Sequence, residues 1–174
     1  MKKLKVTIIG YGGMGSFHAK LIQANPEVEV HGIFDILESR QQAGEADGYS
    51  AYASLEEALN DACADTILIA TPNDVHKEIA VQALEAGKHV ICEKPVTLNS
   101  EELSEIMHTA KEHERVFMVH QNRRWDSDFQ MVKDLYENRK IGEVFHIESR
   151  VQGANGIPGD WRHLKAQGGG MLLD

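Results

Sequence analysis

Near the amino terminus, Gly10-Tyr11-Gly12-Gly13-Met14-Gly15 spaces its glycines as G-x-G-x-x-G. Between a strand and a helix, a loop of this kind can hold a pyrophosphate. The first glycine permits a tight turn, the second lets the backbone approach the phosphates, and the third lets helix and strand pack closely. The following helix adds free amides and the positive end of its dipole. Alone, the pattern is weak, because glycine-rich turns are common. Asp35 strengthens it, standing twenty positions after Gly15 at the end of an apolar run. There a carboxylate accepts from the hydroxyls of an adenosine ribose. Gly10, Gly12, Gly13, Met14, Gly15 and Asp35 are therefore candidate dinucleotide-binding residues. The carboxylate repels a 2′-phosphate and so favours NAD over NADP. Arg40, five residues further on, keeps NADP possible.

Other polar groups gather directly after apolar runs. Thr71, Pro72 and Asn73, with His76 close behind, follow residues 66–70; Glu93 and Lys94 follow 89–92; His120, Gln121 and Asn122 follow 116–119. Ligands of open parallel sheets bind outside the carboxyl ends of the strands, so these clusters belong to one edge. A lysine there can hydrogen-bond a substrate oxygen, exchange a proton with it and stabilise charge developing during hydride transfer. Most lysines are solvated surface residues, and residue type alone does not single out Lys94.

The elements that must position these groups follow from pattern. Val6 to Ile9, Val28 to Phe34, Thr66 to Ala70, His89 to Cys92 and Val116 to Val119 read as strands. The continuous apolar run 66–70 suits a parallel strand covered on both faces. Helices are expected over about 16–24, from Ser54 with Glu57 completing a capping box, over 74–86 with Gly87 as the stop, and from Ser100. In the last of these, Leu103, Ile106, Met107 and Ala110 form one apolar stripe. Strands alternating with helices give right-handed βαβ units, hence an α/β fold with a doubly wound parallel sheet. After Asn122 the pattern changes to an amphipathic helix over 126–138, an alternating strand over 143–151 and a loop-rich stretch. The expected organisation is a dinucleotide-binding domain over 1–122 and the incomplete start of an α+β substrate domain over 123–174.

Composition bounds the classes. The 174 residues carry a formal net charge of −9, are 42% hydrophobic and 26% charged, and include two cysteines. An acidic balance argues against a nucleic-acid partner, because phosphate backbones require clustered Lys and Arg. No run approaches the ~18 apolar residues of a membrane span, and no signal-peptide core follows the basic start. Cys63 and Cys92 form neither a CxxC nor a disulfide pattern, and both are expected as small buried hydrophobes in a reducing cytoplasm. Among the nine histidines, His108 and His113 have the wrong spacing for an i, i+4 metal pair, and His18 and His89 read as packing or surface residues. No metal site is expected.

The ordered set of motifs resembles the Gfo/Idh/MocA oxidoreductases, a family that includes glucose–fructose oxidoreductase and inositol dehydrogenases. The resemblance rests on GYGGMG, TPNDVH, CEKP at 92–95, HQNRRWDSDF at 120–129, KIGEVFHIESR at 140–150 and GGGMLLD at 168–174, and spans the whole chain. It implies that Thr71, Pro72, Asn73, His76 and Glu93 border the nicotinamide. Lys94 becomes the lysine of the EKP motif, often followed by a cis proline. Asn122, Arg123, Trp161 and Arg162 would line the cofactor–substrate cleft. Asp174 would be the aspartate of a catalytic motif whose histidine base stands four residues further on, so the chain is expected to be either a truncated form of a protein about twice the length or a natural fragment.

The reaction so implied moves a hydride between NAD, or NADP, and a secondary alcohol or carbonyl of a sugar, sugar acid or cyclitol. Lys94 and Asp174 would be its catalytic residues here. The implied partners are a small-molecule sugar or polyol and, in the full-length form, further copies of the chain as a homo-oligomer. The alternative is a non-catalytic NAD-binding regulator on the same scaffold, since fold alone does not fix function.

Overall fold

A computed structural model describes residues 3–150 and 164–167. The elements in order are β1 (Leu4–Ile9), α1 (Gly13–Gln23), β2 (Val28–Phe34), α2 (Glu38–Ala46), α3 (Leu55–Asn60), β3 (Thr66–Ile69), α4 (His76–Glu85), β4 (His89–Cys92), α5 (Ser100–Glu112), β5 (Phe117–Val119) and α6 (Ser127–Glu137). Short 3₁₀ turns lie at Asn73–Val75, Asn122–Trp125 and Lys165–Gln167.

The five strands form one sheet in the order β2-β1-β3-β4-β5, with all four pairings parallel. The chain runs outward from β1 in both directions, which is the doubly wound arrangement. Alternate side chains feed two cores. Ile9, Ile67 and Ile69 pack with Leu84 and Ile106, from α4 and α5, on one face. Val6, Ile8 and Leu68 pack with Ala19 of α1 and with Ile33 on the other. Fully burying each of these aliphatic side chains contributes about 1.5–3 kcal/mol, and that burial holds the helices to the sheet.

Helix ends follow the expected chemistry in two places. The Ser54 hydroxyl accepts from the Glu57 N–H at 3.1 Å, and the Glu57 carboxylate accepts from the Ala53 N–H at 2.8 Å, so the box closes one residue earlier than the usual pattern. Asn99 and Glu102 cap α5 in the same way, with the Asn99 side chain accepting from the Glu102 N–H at 2.9 Å. Gly87, at φ +77°, takes the left-handed conformation that ends α4.

Three expectations differ from the structure, and one helix stands outside them. The helix α2 carries no apolar stripe in its sequence ESRQQAGEA and buries only Gly44, which packs on Ile33. Met107 is 60% exposed, because α5 turns its buried side to Ile106, Thr109 and Ala110. Cys63 is exposed, not buried: it lies in the turn after α3, where the Asp61 carboxylate accepts from its N–H at 2.7 Å. Residues 143–150 are not a strand. Alternation makes a strand only beside a ladder partner, and among the described residues none pairs with them.

Among the described residues the chain divides into two compact units, 3–120 with 164–167, and 121–150. In the second, α6 buries no residue, and Phe129, Met131, Val132 and Tyr136 are all exposed.

Candidate active site

Every strand of the sheet ends at a residue singled out by chemistry. Gly10 follows β1, Asp35 follows β2, Thr71 comes two residues after β3, Glu93 follows β4 and His120 follows β5. The switch point lies at β1, whose neighbours β2 and β3 leave it in opposite directions. That is where such sheets receive a ligand.

The start of α1 is built for an anion. Its cap residue Gly12 makes no side-chain capping bond, and the first turn contains no acidic residue. The helices α3 and α5 differ, each with a side-chain cap and two acidic residues in the first turn. The amides at the head of α1 and its dipole are thus left for an external negative group. Close packing underneath explains the glycines: a Cβ on Gly15 would lie 2.0 Å from the Gly10 carbonyl oxygen, and one on Gly10 2.7 Å from that of Ala70. Gly10 also sits at φ +91°. A Cβ on Gly12 would meet only the end of the Arg40 side chain, at 3.3 Å.

Asp35 is buried and already engaged. Its carboxylate accepts from the Tyr11 N–H at 2.8 Å and the Leu37 N–H at 2.9 Å, with the Arg40 guanidinium at 3.4 Å. The carboxylate therefore fixes the glycine loop to the end of β2, and Arg40 stands over it, half-exposed. A cleft of about 460 Å³ opens beside them, lined by Gly10, Asp35, Arg40, Thr71, Pro72 and Ile79 among others. This is the size of ordinary small-molecule sites. The Thr71 hydroxyl is buried at the same edge with no hydrogen-bond partner among the described residues. An uncapped helix head and an orphaned hydroxyl at one edge of the sheet are what a dinucleotide would complete.

The loop carrying Lys94 is braced from two sides. Asn73 is buried in the 3₁₀ turn that leads into α4. His76, fully buried, directs Nδ1 to the Pro95 carbonyl at 3.0 Å and Nε2 to the Thr71 carbonyl at 2.9 Å. Burial pushes its pKa down, against the pull of the two carbonyls and of Glu93. A neutral ring can donate to only one of them. The Lys94–Pro95 bond is cis, as the resemblance implies. Opposite, the Glu93 carboxylate receives His18 Nε2 at 2.7 Å and His120 Nδ1 at 3.0 Å on one oxygen, and the Lys94 N–H at 3.0 Å on the other. Burial raises the Glu93 pKa, but the hydrogen bonds from His18 and the Lys94 N–H, with the charge of His120, outweigh it and hold it below the usual carboxylate range.

Of the residues chosen from sequence, those from Gly10 to Lys94 thus converge on one edge of the sheet. Asn122 begins a 3₁₀ turn in the second unit. Trp161, Arg162 and Asp174 lie outside the described residues. His18 is not the packing or surface residue that the sequence suggests, and its link to Glu93 across 75 residues has no sequence signature except its place three residues after Gly15. Two groups also bring metal-capable side chains together, His18–Glu93–His120 and His31–Asp61–Cys63. In the first, the mutual hydrogen bonds satisfy the ligand atoms without an ion.

Comparison with known proteins bears on this edge directly. The family described as "Oxidoreductase family, NAD-binding Rossmann fold" matches residues 4–121, and "GFO/IDH/MocA C-terminal domain" matches 129–174. An uncharacterised oxidoreductase of Escherichia coli, YdgJ, is 37% identical over 98% of the chain and 50% of its own length. The scyllo-inositol 2-dehydrogenase (NADP(+)) IolW of Bacillus subtilis is 31% identical over 98% of the chain and 48% of its own length. A crystal structure of an NAD-binding protein from Listeria innocua matches with TM-score 0.97 and 60% identity, over 99% of the chain and 51% of that protein. The chain spans about half the length of the curated relatives it matches.

Proposed function

The chain belongs to the Gfo/Idh/MocA oxidoreductase family with an NAD-binding Rossmann fold, and from that premise we propose that the whole protein oxidises a secondary alcohol of a sugar, sugar acid or cyclitol, or runs the reverse reduction. In this reading residues 1–122 form the cofactor domain and 123–174 open the substrate domain. The pyrophosphate lies on Gly10, Gly12, Gly13, Met14 and Gly15, and the adenosine ribose on Asp35. Thr71, Pro72, Asn73, His76 and Glu93 border the nicotinamide. When bound, the nicotinamide supplies the hydride acceptor or donor.

Lys94 hydrogen-bonds the reacting hydroxyl through Nζ and stabilises the alkoxide character that develops as hydride leaves. Asp174 orients the base that takes the hydroxyl proton, and Asn122, Trp161 and Arg162 face the substrate. Asp35 makes NAD the favoured cofactor, with Arg40 beside it as the group that admits NADP.

The observation that carries the reading is the convergence at one sheet edge of an uncapped glycine-loop helix and a lysine loop held by buried histidines. The inositol dehydrogenase among the relatives supports the polyol class. The test is Lys94→Ala in the full-length protein, assayed against a panel of inositols, aldoses and sugar acids. NAD titration should be unchanged and turnover lost; turnover at the wild-type rate would reject the assignment.

A further inference from the structure

Glu93 occupies a position that its charge alone does not explain. It is 6% exposed, and an unpaired carboxylate so placed would cost several kcal/mol. Three N–H groups from three segments satisfy it: His18 on α1, His120 at the exit of β5, and the backbone of Lys94 itself. An ionised carboxylate can only accept, so the geometry fixes a proton on His18 Nε2 and on His120 Nδ1. The rings lie edge to face, with centroids 4.6 Å apart.

These contacts need a carboxylate in particular. Oε1 takes both imidazoles, while Oε2 takes the Lys94 amide. A carboxamide that keeps its oxygen on the Lys94 N–H turns its NH₂ toward the two imidazoles, which must then move their protons to the far ring nitrogens to accept it, and the charge that draws the three donors together is gone. The helix that His18 belongs to is the same one whose head carries no side-chain cap.

We propose that Glu93, clamped between His18 and His120, is a positioning residue for Lys94, and that through His18 it sets the lysine loop in register with the phosphate-binding helix α1. The proposal rests on the reading of Lys94 as the residue that meets the substrate hydroxyl. Glu93 does not exchange protons with substrate; it holds the backbone from which Lys94 projects. Misplacing a catalytic group by about 1 Å costs on the order of 10²-fold in rate.

The test uses the full-length protein with NAD and the best polyol of the panel. Glu93→Gln is expected to lower kcat on the order of 10²-fold, with the melting temperature near wild type. Independently of turnover, the Lys94 amide proton should resonate downfield in the wild type and move upfield in E93Q. His18→Gln, whose amide nitrogen replaces Nε2, should retain kcat, whereas His18→Leu should lose it.

Wild-type kcat in E93Q, or equal kcat in H18Q and H18L, would overturn the proposal. So would an E93Q protein whose melting temperature falls in parallel with kcat, because the network would then be a brace for the fold. Where E93Q does not fold, the H18Q and H18L pair decides. Lys94→Ala separates the two levels: normal turnover there removes the functional reading, while an inactive K94A beside an active E93Q removes only the positioning role.

Discussion

Alanine at Gly15, Gly12 and Gly13 separates the roles of three loop glycines, the first two fixed by the motif and the third at one of its open positions. At Gly15 the new methyl would sit 2.0 Å from the Gly10 carbonyl oxygen, well inside the 3.4 Å at which ordinary contact begins. Both partners are backbone, so α1 must move away from β1. Overpacking of this kind costs about 1–3 kcal/mol, and the upper end applies where no side chain can yield. At roughly 2–4 °C per kcal/mol for a chain of this size, G15A should melt about 6–12 °C lower.

Gly12 is different. Its φ of −83° suits any residue, and the methyl meets only the mobile end of Arg40. G12A should therefore stay within about 0.5 kcal/mol of wild type in stability. It should nevertheless bind NAD at least about tenfold more weakly, because the methyl occupies the approach of the pyrophosphate. At Gly13, the first residue of α1, nothing lies within 4 Å. G13A should gain about 0.5–1 kcal/mol from reduced backbone entropy in the unfolded chain. Thermal melts and fluorescence titration with NAD on the three variants provide the measurement. A G15A protein that melts with the wild type, or a G12A protein that binds NAD as well as the wild type, refutes the reasoning.

Two further outcomes follow from the charged groups. Replacing Asp35 by Ser removes the carboxylate beside Arg40 and should shift the ratio of NADP to NAD affinity toward NADP by on the order of tenfold to a hundredfold; an unchanged ratio in parallel titrations would show that Asp35 does not read the ribose. Asp61 has its pKa lowered to about 2, first by the Tyr52 hydroxyl and then by the Cys63 N–H. A folded pKa below the unfolded one adds stability at neutral pH that disappears as pH falls through the folded value. Urea melts should therefore lose about 1–2 kcal/mol between about pH 5 and pH 2 in the wild type and less in Asp61→Asn.

The strands of the sheet were legible because parallel strands covered on both faces read as continuous apolar runs, as Thr66 to Ile69 does with four buried residues in a row. The helix α2 was not, because it buries a single glycine and presents no apolar stripe. Met107 shares the helical spacing of Ile106 and Ala110 but lies at the rim of the stripe, where the sheet no longer covers it. The glycine loop and Asp35 were legible as a local motif with a fixed offset. The tie between His18, Glu93 and His120 was not, since nothing in local spacing marks residues that meet across 75 and 27 positions. The strand expected over 143–151 depended on a pairing partner, and pairing is not a property of one segment.

The all-parallel pairing of the sheet also has a kinetic side. Parallel neighbours need a crossover, so no strand pair can zip from a tight turn. Each pairing closes a long loop before it gains any contact, and a fold of such high contact order accumulates structure slowly. The edge that gathers Gly10, Asp35, Thr71, Glu93 and His120 cannot exist until all five strands are in register. A dinucleotide that binds only the closed sheet then adds RT ln(1 + [L]/Kd), about 2.7 kcal/mol at a hundredfold excess over Kd. The cellular cofactor pool would thus set how long the sheet stays shut as well as what the site can do.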